Sequence, residues 1–324
     1  MFKYLFAAAV IVSANPLLAQ TSEVKLPDLP HAITSFGAAT TKDGHLYVYG
    51  GHKGDAHHYN VEGQSNSLLR LNLKKPAKWE PLTTGPRLQG LALVTDGESL
   101  YRVGGFTAMN KGEAEQKLSS QTSVAQFSPK TNRWTDLTPL PEPRSSFDAV
   151  VHQDKLYVIG GWNMQPDGTD WLSTAWVADL KASPLKWKEL PKPPFERRAL
   201  SLAAVGDSVY AVGGMTKEGP TKSVSVFNIK NNTWSEGPEL PGKSPMSGFG
   251  SSSFTIGSRL FASTYDGSVL ELAADGKSWK TFKTLSEGRF FHRMVPMNKS
   301  ALLLISGANM ETGKYEDVVT VSID

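Results

Sequence analysis

Leu156-Tyr157-Val158-Ile159-Gly160-Gly161 decides the fold, because the same shape recurs along the chain. Its copies are Leu46-Tyr47-Val48-Tyr49-Gly50-Gly51, Leu100-Tyr101-Arg102-Val103-Gly104-Gly105 and Val209-Tyr210-Ala211-Val212-Gly213-Gly214, whose first glycines lie 54, 56 and 53 residues apart. Two weaker copies follow, Leu260-Phe261-Ala262-Ser263-Thr264-Tyr265 and Leu302-Leu303-Leu304-Ile305-Ser306-Gly307. Each of the first five is followed by one tryptophan: Trp79, Trp134, Trp187, Trp234 and Trp279. Leucine-proline often closes the unit, as at Leu140-Pro141, Leu190-Pro191 and Leu240-Pro241, and an arginine such as Arg87, Arg144, Arg198 or Arg289 often starts the next. The runs before the glycines are short and rich in Val, Tyr and Leu, the composition of strands packed on both faces. Glycine there permits positive φ and close approach of neighbouring sheets. A tryptophan that no single unit can bury predicts a wedge between adjacent units.

A tyrosine-bearing strand running into a double glycine, then a spaced tryptophan, resembles the Kelch repeat, over nearly the whole chain beyond residue 20. The resemblance implies an all-β protein: a six-bladed Kelch β-propeller with one four-stranded sheet per repeat. The sixth copy ends at Val318-Val319-Thr320-Val321, close to Asp324, without an outer strand of its own. Val24-Lys25-Leu26-Pro27 has the pattern of the missing piece, so an N-terminal strand is expected to complete the last blade and remove an open edge.

The sequence has 324 residues, 34 basic and 31 acidic, for a formal charge of +3, with no cysteine. So small a charge gives no case for nucleic acid or for an anionic membrane. The absence of cysteine removes disulfides, thiolate metal sites and cysteine nucleophiles. No phosphate-binding loop, Gly-x-Ser-x-Gly or His-Glu-x-x-His is present. Lys3 followed by the apolar run Tyr4 to Val12, then Asn15-Pro16 and Leu17-Leu18-Ala19, reads as a signal peptide; the run is too short to span a bilayer. We therefore expect residues 1–19 to be removed, residues 20–324 to form the propeller, and the mature protein to be periplasmic or secreted without membrane insertion.

In a propeller of this strand order, segments after Gly-Gly and segments leading into the next inner strand emerge at one end of the disc. That end has the long, variable loops, where function is expected. The other has tight turns such as Thr41-Lys42-Asp43-Gly44 and Gln153-Asp154-Lys155. Of the seven histidines, His31, His52, His57, His58 and His292 fall on the long-loop face. Blade one's loop, Gly51-His52-Lys53-Gly54-Asp55-Ala56-His57-His58-Tyr59-Asn60, and blade six's lead-in, Arg289-Phe290-Phe291-His292-Arg293, are neighbours in a closed ring. His52, His57 and His292 are thus candidate ligands for a transition metal. Blade three's loop carries Trp162 and Trp171 outside the repeat position, and indole faces stack on sugar rings. Gln89, Arg144 and Arg198, before inner strands, and Tyr59 join them as candidate substrate-binding residues; guanidinium forks suit carboxylates and sugar acids.

Three functional classes follow. Exported Kelch proteins include sialic-acid mutarotases (epimerases), and the resemblance implies a carbohydrate-directed protein, an isomerase if it is an enzyme; His292, Arg293 and Asp148 are the candidates for the reacting centre. The galactose-oxidase type requires a Tyr–Cys radical on copper; with no cysteine, and with Phe291-His292 in place of its Tyr-His pair, that reading is excluded. The third class is a protein-interaction scaffold, the usual role of Kelch domains in larger eukaryotic proteins.

Overall fold

The computed structural model describes residues 25–324. The expected signal peptide and Val24 lie outside them. Six antiparallel sheets follow one another along the chain, and five have four strands with the first strand innermost. The inner strands, Gly37–Thr40, Ala92–Thr95, Asp148–His152, Ser201–Val205, Ser252–Ile256 and Arg293–Asn298, adjoin one another in cyclic order, the last beside the first. The fold is an all-β, six-bladed propeller, as the repeats imply.

Blade three shows how the sequence builds a sheet. Lys155–Ile159 pairs on one side with Asp148–His152 and on the other with Ala175–Asp179, and Trp187–Glu189 closes the outer edge. Leu156 to Ile159 are all buried because both faces of this strand meet neighbouring blades. At Gly161, with φ of +92°, a Cβ would lie 2.6 Å from the carbonyl oxygen of Ser145 and 2.7 Å from the Cβ of Phe147. Only glycine lets the chain turn there.

Four of the five repeat tryptophans are hydrogen-bonded to the preceding blade, while Trp134 packs on Tyr49 of blade one with its indole N–H unpaired. The indole N–H of Trp187 donates to the carbonyl of Thr138 (3.2 Å), that of Trp234 to Pro191 (2.7 Å) and that of Trp279 to Pro238 (2.8 Å), each acceptor lying just past the previous blade's outer strand. Trp79 of blade one donates in the same way to Pro27 at 3.0 Å. The N-terminal segment therefore stands where the end of blade six's outer strand belongs. Among the described residues the sixth sheet has three strands, Arg293–Asn298, Ala301–Ile305 and Val318–Ser322. Leu26 and Leu29 are buried against Val295, Leu303, Ile305 and Val318, and the Leu29 amide donates to the Glu316 carbonyl at 2.7 Å. Leu26→Ala should cost about 2–3 kcal/mol, read as a lower urea midpoint with an unchanged slope.

Two residues before each inner strand the backbone is left-handed: Ser35 (φ 56°), Gly90 (59°), Ser146 (50°), Ala199 (53°), Gly250 (58°) and Phe291 (53°). These six peptides form a closed hydrogen-bonded ring. Each amide donates to the carbonyl of the ring residue before it, from Gly90 to Ser35 at 2.7 Å round to Ser35 to Phe291 at 3.3 Å. Four are not glycine, and each pays about 1 kcal/mol for the conformation, which the six bonds offset.

Directly below the ring an ion pair crosses the axis. Arg293 donates from Nε to the Phe36 carbonyl (3.0 Å), from Nη2 to the Leu91 carbonyl (3.1 Å) and from Nη1 to Asp148 (2.9 Å). Asp148 also accepts the Leu202 amide at 2.9 Å. One pair of side chains thus ties blades six, one, two, three and four. At the equivalent strand-start positions stand Gly37, Ala92, Ser201 and Ser252, small enough to leave the axis to that pair.

Candidate functional site

The ring divides the central channel. Below it, a cavity of about 290 Å³ runs between the inner strands, with Asp148 and Arg293 at its closed end. Above it, on the long-loop face, lies a cavity of about 300 Å³ whose floor is the ring itself. The upper cavity brings together seven of the residues singled out from the sequence: His57, Tyr59, Gln89, Trp162, Arg198, His292 and Arg293. Among the described residues no carboxylate lines it.

The long loops form a continuous wall over blades six, one, two and three. Blade one's loop is bonded to blade two's through Asn110 Nδ2 to the Tyr59 carbonyl (2.9 Å) and Gln116 Nε2 to the His57 carbonyl (2.7 Å). Gln64, wholly buried, pairs with the Phe106 carbonyl and the Ala108 amide as a strand would. Blade two's hairpin, Phe106–Ala108 with Leu118–Ser120, is tied to blade three's, Trp162–Gln165 with Gly168–Trp171, by the Met164 amide to Ser120 Oγ at 2.9 Å. Lys314 of blade six donates to the Gly54 carbonyl of blade one.

Inside that wall, the guanidinium of Arg198 lies 4.0 Å from the Trp162 ring and 5.6 Å from Trp171, with the indoles edge to face at 5.8 Å. Its Nη2 meets Met215 Sδ at 3.1 Å, and its Nε has no partner. Burial pulls its pKa down from the ordinary arginine value, opposed by Tyr59, and burial pushes the Tyr59 hydroxyl up. Gln89 Nε2 and Trp162 Nε1 are also buried without a partner. A cavity with a guanidinium in its wall and, among the described residues, no lining carboxylate calls for an acceptor-rich, anionic or polyhydroxylated ligand.

His292 is 2% exposed, and its Nε2 lies 2.5 Å from Ser263 Oγ. Ser263 Oγ also lies 3.1 Å from the Ser252 carbonyl; the tautomer that keeps both bonds carries the imidazole proton on Nε2, and Nδ1 is buried without a partner. Burial, with Arg289 and Arg293 nearby, holds its pKa well below the ordinary histidine value. His292 is neutral at pH 7.

Other candidates are placed elsewhere. Among the described residues no three His, Asp or Glu side chains are grouped to hold a metal ion. His52, His57 and His292 are accordingly not assembled as the sequence suggested. His52 is buried, bonds the Asp55 carbonyl at 2.9 Å and packs on Tyr59; His57 is exposed at the rim; His292 is bonded to Ser263. Asp148 belongs to the lower cavity and the axial pair. Arg144 is fully buried and holds the blade together. Its Nη1 donates to the Gly160 and Thr174 carbonyls (2.6 and 3.0 Å) and its Nη2 to Glu142 and Thr174 Oγ1 (2.7 and 2.5 Å). Arg197 does the same in blade four with the Gly213 and Ser223 carbonyls. At this repeat position the arginine is a framework residue.

Burial works to raise the pKa of Glu142, but Thr174, the Trp176 indole and Arg144 together hold it below the ordinary 4.5. A depressed carboxylate stabilises the fold fully above its unfolded value and loses that contribution as pH falls through its folded value. Wild-type protein should therefore lose thermal midpoint on acidification below about pH 4.5 more steeply than Glu142→Gln does, in scans from pH 6 to pH 3.

Sequence reasoning missed Phe106, Phe147, Phe249 and Ser251 in the lining, and Ser263 as the partner of His292. Phe106 was legible, since it follows Gly104-Gly105 just as Trp162 follows Gly160-Gly161. Ser263 was not, because its role depends on a contact 29 residues away.

The KLHDC2/KLHL20/DRC7 Kelch-repeats domain family matches residues 90–307. Kelch-like protein 35 of Mus musculus is 26% identical over 216 residues, covering 67% of this chain and 33% of that protein. Kelch repeat and BTB domain-containing protein 12 of Danio rerio is 24% identical over 242 residues, covering 70% and 37%. The chain thus spans about a third of the length of the curated relatives it matches. The solved structure of YjhT superimposes with a TM-score of 0.73 over 92% of this chain and 97% of that one; at 18% identity the likeness shows a shared fold.

Proposed function

The chain belongs to the KLHDC2/KLHL20/DRC7 Kelch-repeats domain family, and from that premise we propose that it is an exported propeller that binds a small carbohydrate, a sugar or sugar acid, in the cavity of the long-loop face. In this reading residues 1–19 direct export to the periplasm or exterior. The observation that carries the proposal is Arg198, a guanidinium stacked on Trp162 in a cavity with no lining carboxylate. Trp162 offers an apolar face for the C–H side of a pyranose and Arg198 a fork for a carboxylate. His292 lines the floor of the same cavity. For a mutarotase-like reaction the neutral imidazole of His292 would take the proton of the anomeric hydroxyl while a water gives a proton to the ring oxygen as the C1–O5 bond opens. Arg293 and Asp148 support the floor, and their contribution to such a reaction is positional.

The test is a thermal-shift panel of glucose, galactose, glucuronic, galacturonic and N-acetylneuraminic acids at millimolar concentration. At least one acidic sugar should raise the midpoint by several degrees, and more than the neutral sugars do. An unmoved midpoint across the panel overturns the proposal. Polarimetry on the binding sugar then decides whether the protein accelerates anomer exchange.

A further inference from the structure

The wall around the cavity is open on one side. In blades one, two, three, four and six the segment after the glycine pair is bridged back to the lead-in of the same blade, as Trp162 is to Ser145 and Ala308 to Phe290. Among the described residues blade five has no such β-bridge, and its two segments are joined only by the Tyr265 amide to the Ser247 carbonyl (3.3 Å) and by Ser247 Oγ to Asp266 (3.0 Å). There Thr264-Tyr265 replaces the glycine pair, the chain turns straight into Ser268–Leu272, and the lead-in folds into a 3-10 turn over Pro245–Gly248. The gap is floored by aromatic rings that run outward from the cavity lining: Phe291 to Phe249 at 5.0 Å, Phe249 to Phe290 at 5.6 Å, and Phe290 stacked on Tyr265 at 5.8 Å and 21°. All four are half-buried and none belongs to the cores between blades.

Resting on the reading of the cavity as a sugar site, we infer that its ligand is the end of a longer saccharide, whose next ring leaves through the blade-five gap and stacks on Tyr265 and Phe290. A closed wall would enclose a free monosaccharide better. An opening continuous with the pocket and paved with ring faces suits a chain of pyranoses, each presenting an apolar C–H face and hydroxyl edges. The loss of the double glycine in this repeat is what creates the opening, since the hairpin seen in the neighbouring blades needs the turn that glycine permits.

Calorimetry on the full propeller tests this with galacturonic, glucuronic and N-acetylneuraminic acids, each free and as the end unit of a trisaccharide. For the sugar that binds, the trisaccharide should bind at least about fivefold tighter than the free sugar. Tyr265→Ser and Phe290→Leu should each bring the trisaccharide back to the free sugar's affinity and leave the free sugar unchanged. Equal or weaker trisaccharide binding, or variants that weaken both ligands alike, would overturn the inference while leaving the cavity a sugar site. Binding of neither form overturns both.

Discussion

Arg293→Ala should lower the stability of the propeller by about 3–5 kcal/mol, the largest loss expected from any single substitution here. The substitution removes three bonds to three different blades and leaves Asp148, 6% exposed, with only the Leu202 amide. An uncompensated buried carboxylate is costly, and the cost falls at the point where six sheets meet. Asp148→Asn combined with Arg293→Met removes both charges and should recover much of the loss, because the penalty lies in the unpaired partner. Urea denaturation of the two single variants and the double variant measures this as a coupling energy. Strictly additive losses would mean that the pair does not hold the axis together.

Arg198→Ala should weaken binding of the acidic sugar by about ten- to a hundredfold with little change in melting temperature. Among the described residues the Arg198 side chain bonds no carboxylate and no framework carbonyl, unlike Arg144 and Arg197, whose Nη groups bond carbonyls within their blades. Its removal therefore costs the ligand more than the fold. Arg198→Lys should restore little, since an ammonium can neither lie flat on Trp162 nor present a two-pronged donor. Calorimetry with wild type and both variants separates these outcomes. Full affinity in Arg198→Ala would remove the cation from the binding site.

The contrast between Arg144 and Arg198 marks how far the sequence could be read. Both precede an inner strand, and both are arginines at a repeat boundary. Which one faces the cavity depends on a one-position difference in register: Arg144 lies two residues before the ring residue Ser146, whereas Arg198 directly precedes the ring residue Ala199. Arg197 and Arg289, at the same offset as Arg144, are likewise buried in their blades. The blade count, the interblade tryptophans and the sharing of one face by the Gly-Gly and lead-in segments were legible, because each is written several times at a fixed spacing. The His292–Ser263 contact, the axial ion pair and the hydrogen-bonded ring were not. They depend on distances between residues of different blades, which periodicity does not encode. The grouping of His52, His57 and His292 failed for a related reason: nearness of loops in a ring does not fix where imidazoles point, and His52 turns to its own loop's Asp55 carbonyl.

Eight tryptophans allow the central claim to be read residue by residue. In spectra of indole-labelled protein titrated with the acidic sugar that gives the largest thermal shift, the Trp162 N–H, which has no partner in the free protein, should move furthest, with Trp171 next. Trp79, Trp187, Trp234 and Trp279, bonded to carbonyls between blades, should stay in place. A stationary Trp162 at saturating ligand, or shifts confined to the interblade tryptophans, would contradict a carbohydrate site at this cavity.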